Sequence, residues 1–166
     1  MSVRPITRSA ARAVVAKWHS HHTAHLGETL ALGWFSDGDP VACVVMGRPS
    51  ARLLDNGTTW EVTRLCIGPD APPCAASRLL GAASRAAEAC GIRRLISYTR
   101  SDERGTCYKA ANWRPTAIVK GQPWTHGAKS TRWLPGLYEP STEIVDRVRW
   151  ERGPDAAPAI EIQRAA

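Results

Sequence analysis

Hydrophobic and polar positions change period several times along the 166 residues, and the changes predict alternating strands and helices. Residues 3–6 read as a short first strand. Ser9 then caps a helix to about Trp18, with Ala13, Val14 and Lys17 at helical spacing. Residues 29–35 and 41–47 are β-rich runs separated by Ser36-Asp37-Gly38-Asp39-Pro40, and such turn formers predict a hairpin. Residues 58–67 form the next strand, dense in β-branched side chains. Pro69 to Pro73 breaks it, and residues 74–90 read as an Ala/Leu-rich helix stopped by Gly91. A strand over 93–99, a short helix over 102–112, a strand over 114–119 and a last strand over 145–150 follow, with 132–134 pairing as an edge. The order is β-α-β-β-β-α-β-α-β. Helical crossovers make the strands they join partly parallel, so the expected fold class is α/β (α+β), a mixed central sheet flanked by helices. One domain is expected over 1–152, with 153–166, rich in Ala and Pro, as a flexible C-terminal tail.

Composition narrows the function classes. An apolar fraction of 43% suits a globular domain with its own core. No apolar run reaches about 18 residues, so no membrane partner is expected. Residues 1–16 carry Arg4, Arg8 and Arg12 among short apolar pieces, without a signal-peptide core, which points to the cytoplasm. Five cysteines without a C-x-x-C spacing argue against a disulfide framework and against a zinc finger.

The charge of +7 favours an anionic partner, and coenzyme A and nucleic acid both qualify. Several of the seven tryptophans adjoin basic residues, as in Lys17-Trp18, Trp113-Arg114, Arg132-Trp133 and Arg149-Trp150-Glu151-Arg152. Such pairs suit stacking on bases, although each ring equally suits the core.

The most informative chemistry lies at 61–77. A strand feeding a tight turn at a helix N-terminus aims free backbone N–H groups at one point, and the helix dipole adds positive charge there, as phosphate binding requires. Pro72 and Pro73 sit where a missing N–H costs nothing, and Ala75, Ala76 and Ser77 keep the backbone accessible. A purely structural βα turn would read the same way. Strand alternation puts Glu61, Thr63 and Leu65 on one face and Val62, Arg64 and Cys66 on the other. A buried Arg64 needs an anion, and Asp102, a substrate phosphate or a cofactor could supply it. His19, His21, His22 and His25 cluster within seven residues, which admits a transition metal. No helical pair of histidines with a nearby acid appears, so the block is read without a metal site and His21 as a substrate contact or proton shuttle.

The run Glu61-Val62-Thr63-Arg64-Leu65-Cys66-Ile67-Gly68-Pro69, with its turn and helix, resembles the acetyl-CoA motif of the GNAT superfamily of N-acyltransferases. In that motif R/Q-x-x-G-x-G/A opens the helix; here Pro72, Ala75 and Ser77 occupy those positions. Gly91-Ile92-Arg93-Arg94-Leu95-Ile96-Ser97-Tyr98-Thr99 resembles the following GNAT strand, and Tyr108-Lys109-Ala110-Ala111-Asn112-Trp113 is similar to Y-x-k-x-G-F. The resemblance implies a GNAT-like sheet and acetyl-CoA or a related acyl-CoA as cofactor, held by Leu65, Cys66, Ile67, Ala75, Ala76 and Ser77. It implies Tyr108 as the general acid that reprotonates the thiolate, the phenol's pKa of about 10 matching that leaving group. It places Glu61 as a base or water-ordering carboxylate.

Within the superfamily, Arg64, Ser77, Asp102 and Tyr108, with the upstream histidines 19–22, look like the Mom family of phage DNA-modification proteins. That likeness implies DNA as partner and transfer to adenine of a carbamoylmethyl group, with iron as an additional implied cofactor. Two alternatives stay open: an N-acetyltransferase for a primary amine of a small molecule or protein, and a GNAT-like shell that only binds nucleic acid. The group transferred and the oligomeric state are not specified by the sequence.

Overall fold

The computed structural model describes residues 2–18, 28–121 and 145–162. The histidine cluster, with His21, and the 132–134 edge strand lie outside the described residues. Strands β1 (Ser2–Pro5), β2 (Glu28–Ser36), β3 (Asp39–Gly47), β4 (Thr59–Ile67), β5 (Arg94–Arg100), β6 (Arg114–Val119) and β7 (Arg147–Arg152) form one sheet in the order β1-β2-β3-β4-β5-β7-β6. Helices α2 (Ala75–Ala89) and α3 (Thr106–Ala110) cover one face, and α1 (Arg8–Trp18) packs on β2, β3 and β4 from the other. Every neighbouring pair is antiparallel except β4 and β5, which are parallel because α2 carries the chain back between them. The single-domain mixed α/β architecture read from the sequence is therefore present.

Local chemistry explains the element ends. The hairpin turns on Asp37 (φ 50°) and Gly38 (φ 98°), two successive left-handed residues whose twist matches the flanking strands. Helix α2 closes where the Gly91 N–H reaches Glu88 O (2.9 Å) and the Ile92 N–H reaches Ala87 O (3.0 Å), a pairing that Gly91 permits with its φ of 79°. The cap of α1 is Thr7 rather than Ser9: the Thr7 hydroxyl accepts the Ala10 N–H at 3.2 Å, the reach a capping side chain needs. Helix α3 starts four residues later than its periodicity suggests, because Gly105 (φ 60°) ends a turn that residues 101–104 form instead.

The fraying expected after Gly153 does not describe residues 153–162. Asp155 pairs with Arg93 through two 2.8 Å bonds, the Ala157 N–H reaches Glu151 at 2.8 Å, and the Ile160 N–H reaches Pro115 O at 2.8 Å. Ile162 packs against the main core. Edge strand β6 and the buried Glu151 leave acceptors open, and this segment fills them.

Two irregularities of β4 decide where a site can form. Across the β3–β4 ladder Val45 opposes Arg64 but the next residue, Met46, opposes Val62, so Thr63 is an extra residue in a β-bulge. The parallel β4–β5 ladder runs only from Thr59–Arg94 to Val62–Ser97. Beyond that rung the two strands are no longer paired, and the sheet opens as a fork.

The bulge corrects the expected faces. Val62 and Leu65 join the core beneath α2, while Arg64 and Cys66 oppose Val45 and Cys43 on the α1 side. Regular alternation fails here because the inserted residue reverses the facing of everything after it.

Candidate functional site

The crotch of the fork is Ser97. Its hydroxyl donates to Val62 O at 3.1 Å and lies 2.8 Å from the Tyr108 hydroxyl. A serine has one hydroxyl hydrogen, so with that hydrogen on Val62 the Tyr108 O–H is the donor in the second bond. Tyr108 reaches this point from α3, whose start is set by Gly105, where a Cβ would overlap the Trp150 ring. The Tyr108 ring stacks on Trp150 (centroids 5.3 Å apart) and meets Trp113 edge-on at 5.6 Å. It is 5% exposed. Burial pushes its phenol well above the ordinary tyrosine value, with the Ser97 bond opposing weakly, so the group stays protonated through neutral pH.

The N-terminus of α2 is open. Cys74 precedes it in left-handed backbone (φ 67°), no side chain caps it, and its first turn holds no acid. The Ala75 N–H bonds Pro72 O (3.1 Å) and the Arg78 N–H bonds Cys74 O (3.0 Å), while Ser77 Oγ turns back onto Cys74 O at 3.0 Å. The Ala76 and Ser77 N–H groups have no partner among the described residues. Two unsatisfied donors at a helix end, reinforced by the macrodipole, fit the diphosphate of a coenzyme A thioester.

The other residues singled out in the sequence take several positions. Leu65, Cys66 and Ile67 lie on the length of β4 that is unpaired toward β5, so their backbone borders the fork. Their side chains diverge: Leu65 packs under α2, Cys66 is buried under α1 with its thiol 3.6 Å from Val14 O, and Ile67 is exposed. Burial pushes the Cys66 thiol up and the neighbouring Cys43 thiol up to about 12, so neither is a nucleophile at neutral pH. Glu61 is buried and accepts the Ser50 N–H at 2.6 Å. Arg64 donates to Thr63 O at 2.6 Å. Asp102 is exposed and engaged by Arg100 at 2.9–3.3 Å, not by Arg64, and the Arg100 guanidinium holds its carboxyl below the usual range.

Ser97 went unnoticed in the sequence, as did Glu151. The signal for Ser97 was a pair of hydroxyls, Ser97 and Thr99, following Leu95 on the face that alternation turns to the core. Glu151 is 0% exposed and takes both bonds of the Arg94 fork (2.9 and 2.6 Å) together with Arg149 Nε at 2.9 Å. Burial opposes its ionisation, but the bonds from Arg94 and the Ala157 N–H outweigh it and hold its pKa below the ordinary carboxylate value. Its signal was one acid in a strand of arginines.

Among the described residues no three His, Cys, Asp or Glu side chains converge as metal ligands, and all five histidines lie outside them. No step is assigned to iron. Nor is any helix among the described residues long and apolar enough to cross a membrane.

Residues 1–125 match the model of the Mom protein family. No curated protein matches the chain by sequence. Among solved structures, ribosomal-protein-alanine N-acetyltransferase from Brucella melitensis superposes with a TM-score of 0.66 at 10% identity, covering 92% of this chain and 99% of that one. The acetyltransferase of the GNAT family from Streptococcus pneumoniae gives 0.61 at 14% identity, covering 92% and 98%. The Salmonella typhimurium protein yncA, solved with its cofactor acetyl-CoA, gives 0.63 at 15% identity, covering 97% and 98%. The fold is that of the GNAT acetyltransferases.

Proposed function

This chain belongs to the Mom protein family, and from that premise we propose that it is an acyl-CoA-dependent transferase whose acceptor is adenine in DNA. The observation that carries the reading is the fork itself, with the Tyr108–Ser97 pair at its crotch, together with the two open amides at the start of α2, the helix that links the fork's two strands. The acetyl-CoA held by a protein of the same fold supports the choice of donor. The family supports the choice of acceptor, and the net charge of +7 is in keeping with it.

When bound, acetyl-CoA or a related acyl-CoA supplies an activated acyl carbon on a thioester. The chain's own residues do the rest. Ala76 and Ser77 amides hold the diphosphate at the end of α2. The backbone of Leu65, Cys66 and Ile67 lines one arm of the fork and orients the acyl chain there. As the acceptor nitrogen bonds the acyl carbon and the carbon–sulfur bond breaks, Tyr108 Oη gives its proton to the departing sulfur, the nitrogen sheds its own proton to water, and the phenolate is reprotonated from water. Ser97 Oγ steadies the phenolate that results by turning its one hydrogen from Val62 O to Tyr108 Oη. Glu61 and Arg64 flank the acceptor's approach, and Ser77 and Asp102 complete the family-like set.

Mass spectrometry of nucleosides from cells expressing the protein tests this reading. It expects a modified deoxyadenosine that falls by about 100-fold or more in Tyr108→Phe, the usual range for losing a general acid. Unmodified DNA together with an acetylated metabolite or protein amine would replace the nucleobase with an ordinary amine acceptor. Purified protein that takes up no acetyl-CoA would remove the transferase reading.

A further inference from the structure

Negative charge gathers on two atoms when a thioester yields its acyl group, the sulfur and the carbonyl oxygen, and Tyr108 serves only the first. A second hydroxyl stands on the same face of β5. Leu95, Ser97 and Thr99 alternate toward the core beneath α2 and α3, and all three are buried. Ser97 belongs to the last rung to β4, whereas Thr99 lies one pleat beyond it, on the length of β5 that β4 no longer accompanies. Strand β7 still holds that length, with Thr99 opposite Val148 and Arg100 opposite Arg147, so the arm is fixed from its other edge.

The hydrogen bonding of Thr99 is one-sided. The Trp150 indole N–H donates to its Oγ1 at 3.0 Å. An indole nitrogen can only donate, so Thr99 accepts in that bond and keeps its own hydroxyl hydrogen. The described residues supply no acceptor for that hydrogen, although the side chain is only 9% exposed. Ser97, one pleat away, gives its hydrogen to Val62 O. A buried O–H without an acceptor costs stability, so a partner is expected for it. Trp150 comes from β7, across β5 from β4, and its indole occupies one side of Oγ1, which leaves the hydrogen for the side of the open arm. The indole is itself fixed, fully buried and stacked on Tyr108. Thr99 and Tyr108 are thus set by the edge and the face of one ring.

Resting on the transferase reading above, we propose that the Thr99 hydroxyl is the hydrogen-bond donor to the acyl oxygen. As the acceptor nitrogen's lone pair bonds the acyl carbon, one electron pair of the carbonyl bond moves onto the oxygen, and it returns when the carbon–sulfur bond breaks. Thr99 Oγ1 donates to that oxygen while the charge is there and keeps its proton, so the proton balance of the transfer is unchanged. Held by Trp150 before any donor binds, the hydroxyl needs no reorganisation when the charge appears. Tyr108 serves the sulfur of the thioester and Thr99 its oxygen.

Thr99→Val, Thr99→Ser and Trp150→Phe test this assignment together. Product is counted by mass spectrometry in the nucleosides and in the protein and metabolite amines of expressing cells. Each purified protein is also titrated with acetyl-CoA by calorimetry and followed by near-UV circular dichroism. Thr99→Val keeps the shape and loses the hydroxyl, and it should lower product about 100-fold, the usual loss for one such donor. Its acetyl-CoA affinity should stay within about 3-fold of wild type, because the bond strengthens only as charge develops. Thr99→Ser restores a hydroxyl of the same donor capacity and should recover product to within about 5-fold of wild type. Trp150→Phe removes the indole N–H but leaves a ring beside Tyr108 and the Thr99 hydroxyl, so it should lower product by less than Thr99→Val does. A Val variant that transfers like wild type overturns the assignment and leaves the transferase reading in place. Equal falls in Thr99→Val and Trp150→Phe, with the same change in near-UV signal, would show Thr99 acting only through the indole and would overturn it too. So would loss of acetyl-CoA binding in the Val variant. Wild-type protein that forms an acetylated amine and no modified deoxyadenosine removes the acceptor reading alone, and the same comparison then decides the role of Thr99 on that product. Wild-type protein that forms neither product removes the transferase reading and the Thr99 assignment with it.

Discussion

Tyr98 and Tyr108 are the two phenols of the fork, one on each face, and their surroundings differ in kind. Tyr108 is enclosed by Trp113 and Trp150 and bonded only to the neutral Ser97 hydroxyl. Tyr98 is half-buried, and the charges of Glu61 and Arg149 act on its hydroxyl. Burial raises both phenols above the ordinary tyrosine value. For Tyr98 the Glu61 charge adds to that rise while Arg149 works against it. A dry, uncharged pocket keeps a proton in place until a strongly basic partner appears, which suits a donor to a leaving sulfur.

The largest expected effect lies on the charged face. Glu151→Ala should lower unfolding stability by about 3–5 kcal/mol in urea titration, because it leaves Arg94 and Arg149 without their buried partner. Its pH dependence has a definite sign. The folded pKa of Glu151 lies below the ordinary 4.5, so its contribution is complete above that value and is lost as pH falls through the depressed folded value. Wild-type stability should drop on acidification below about pH 5, and Glu151→Gln should flatten that part of the curve.

Gly105→Ala probes the enclosed face with a somewhat smaller penalty. The new Cβ meets the Trp150 ring and the backbone sits at φ 60°, so about 3 kcal/mol should be lost, with weaker near-UV circular dichroism from the Tyr108–Trp150 stack. Tyr108→Phe should cost about 1 kcal/mol, the worth of one buried hydrogen bond. Its stability loss would then be slight beside the loss of transfer. Smallest in stability, and opposite in sign, is Ser77→Asp. A carboxylate at the uncapped end of α2 should raise stability by about 0.5 kcal/mol, yet calorimetry should show acetyl-CoA affinity falling at least 10-fold by repulsion of the diphosphate.

How much of this was legible in the sequence follows from what each feature depends on. The turn at Asp37-Gly38 and the stop at Gly91 are local backbone chemistry, and both were readable. The strand-turn-helix around Pro69 and the position of Tyr108 were readable as well, because motif spacing carries them. The bulge at Thr63 was not, since alternation on either side looks regular until the partner strand shows which residue is extra. The grouping of Arg64 with Val62 on one face was wrong for that reason, while its grouping with Cys66 holds, and of the anions offered for Arg64 the Asp102 carboxylate is engaged instead by Arg100, two residues away. The point where β4 and β5 part is likewise a property of two strands and not of one. Composition misjudged residues 153–162, because Ala and Pro describe the segment's own propensity and not the acceptors that β6 and Glu151 offer it.

A crystal structure of the protein with acetyl-CoA decides whether the fork receives a thioester with its diphosphate on the end of α2. The expected result places phosphate oxygens on the Ala76 and Ser77 amides and the sulfur within direct or one-water reach of Tyr108 Oη, about 3 Å per hydrogen bond. Acetyl-CoA bound elsewhere, or a fork filled by side chains with the α2 amides turned away from the ligand, would contradict it.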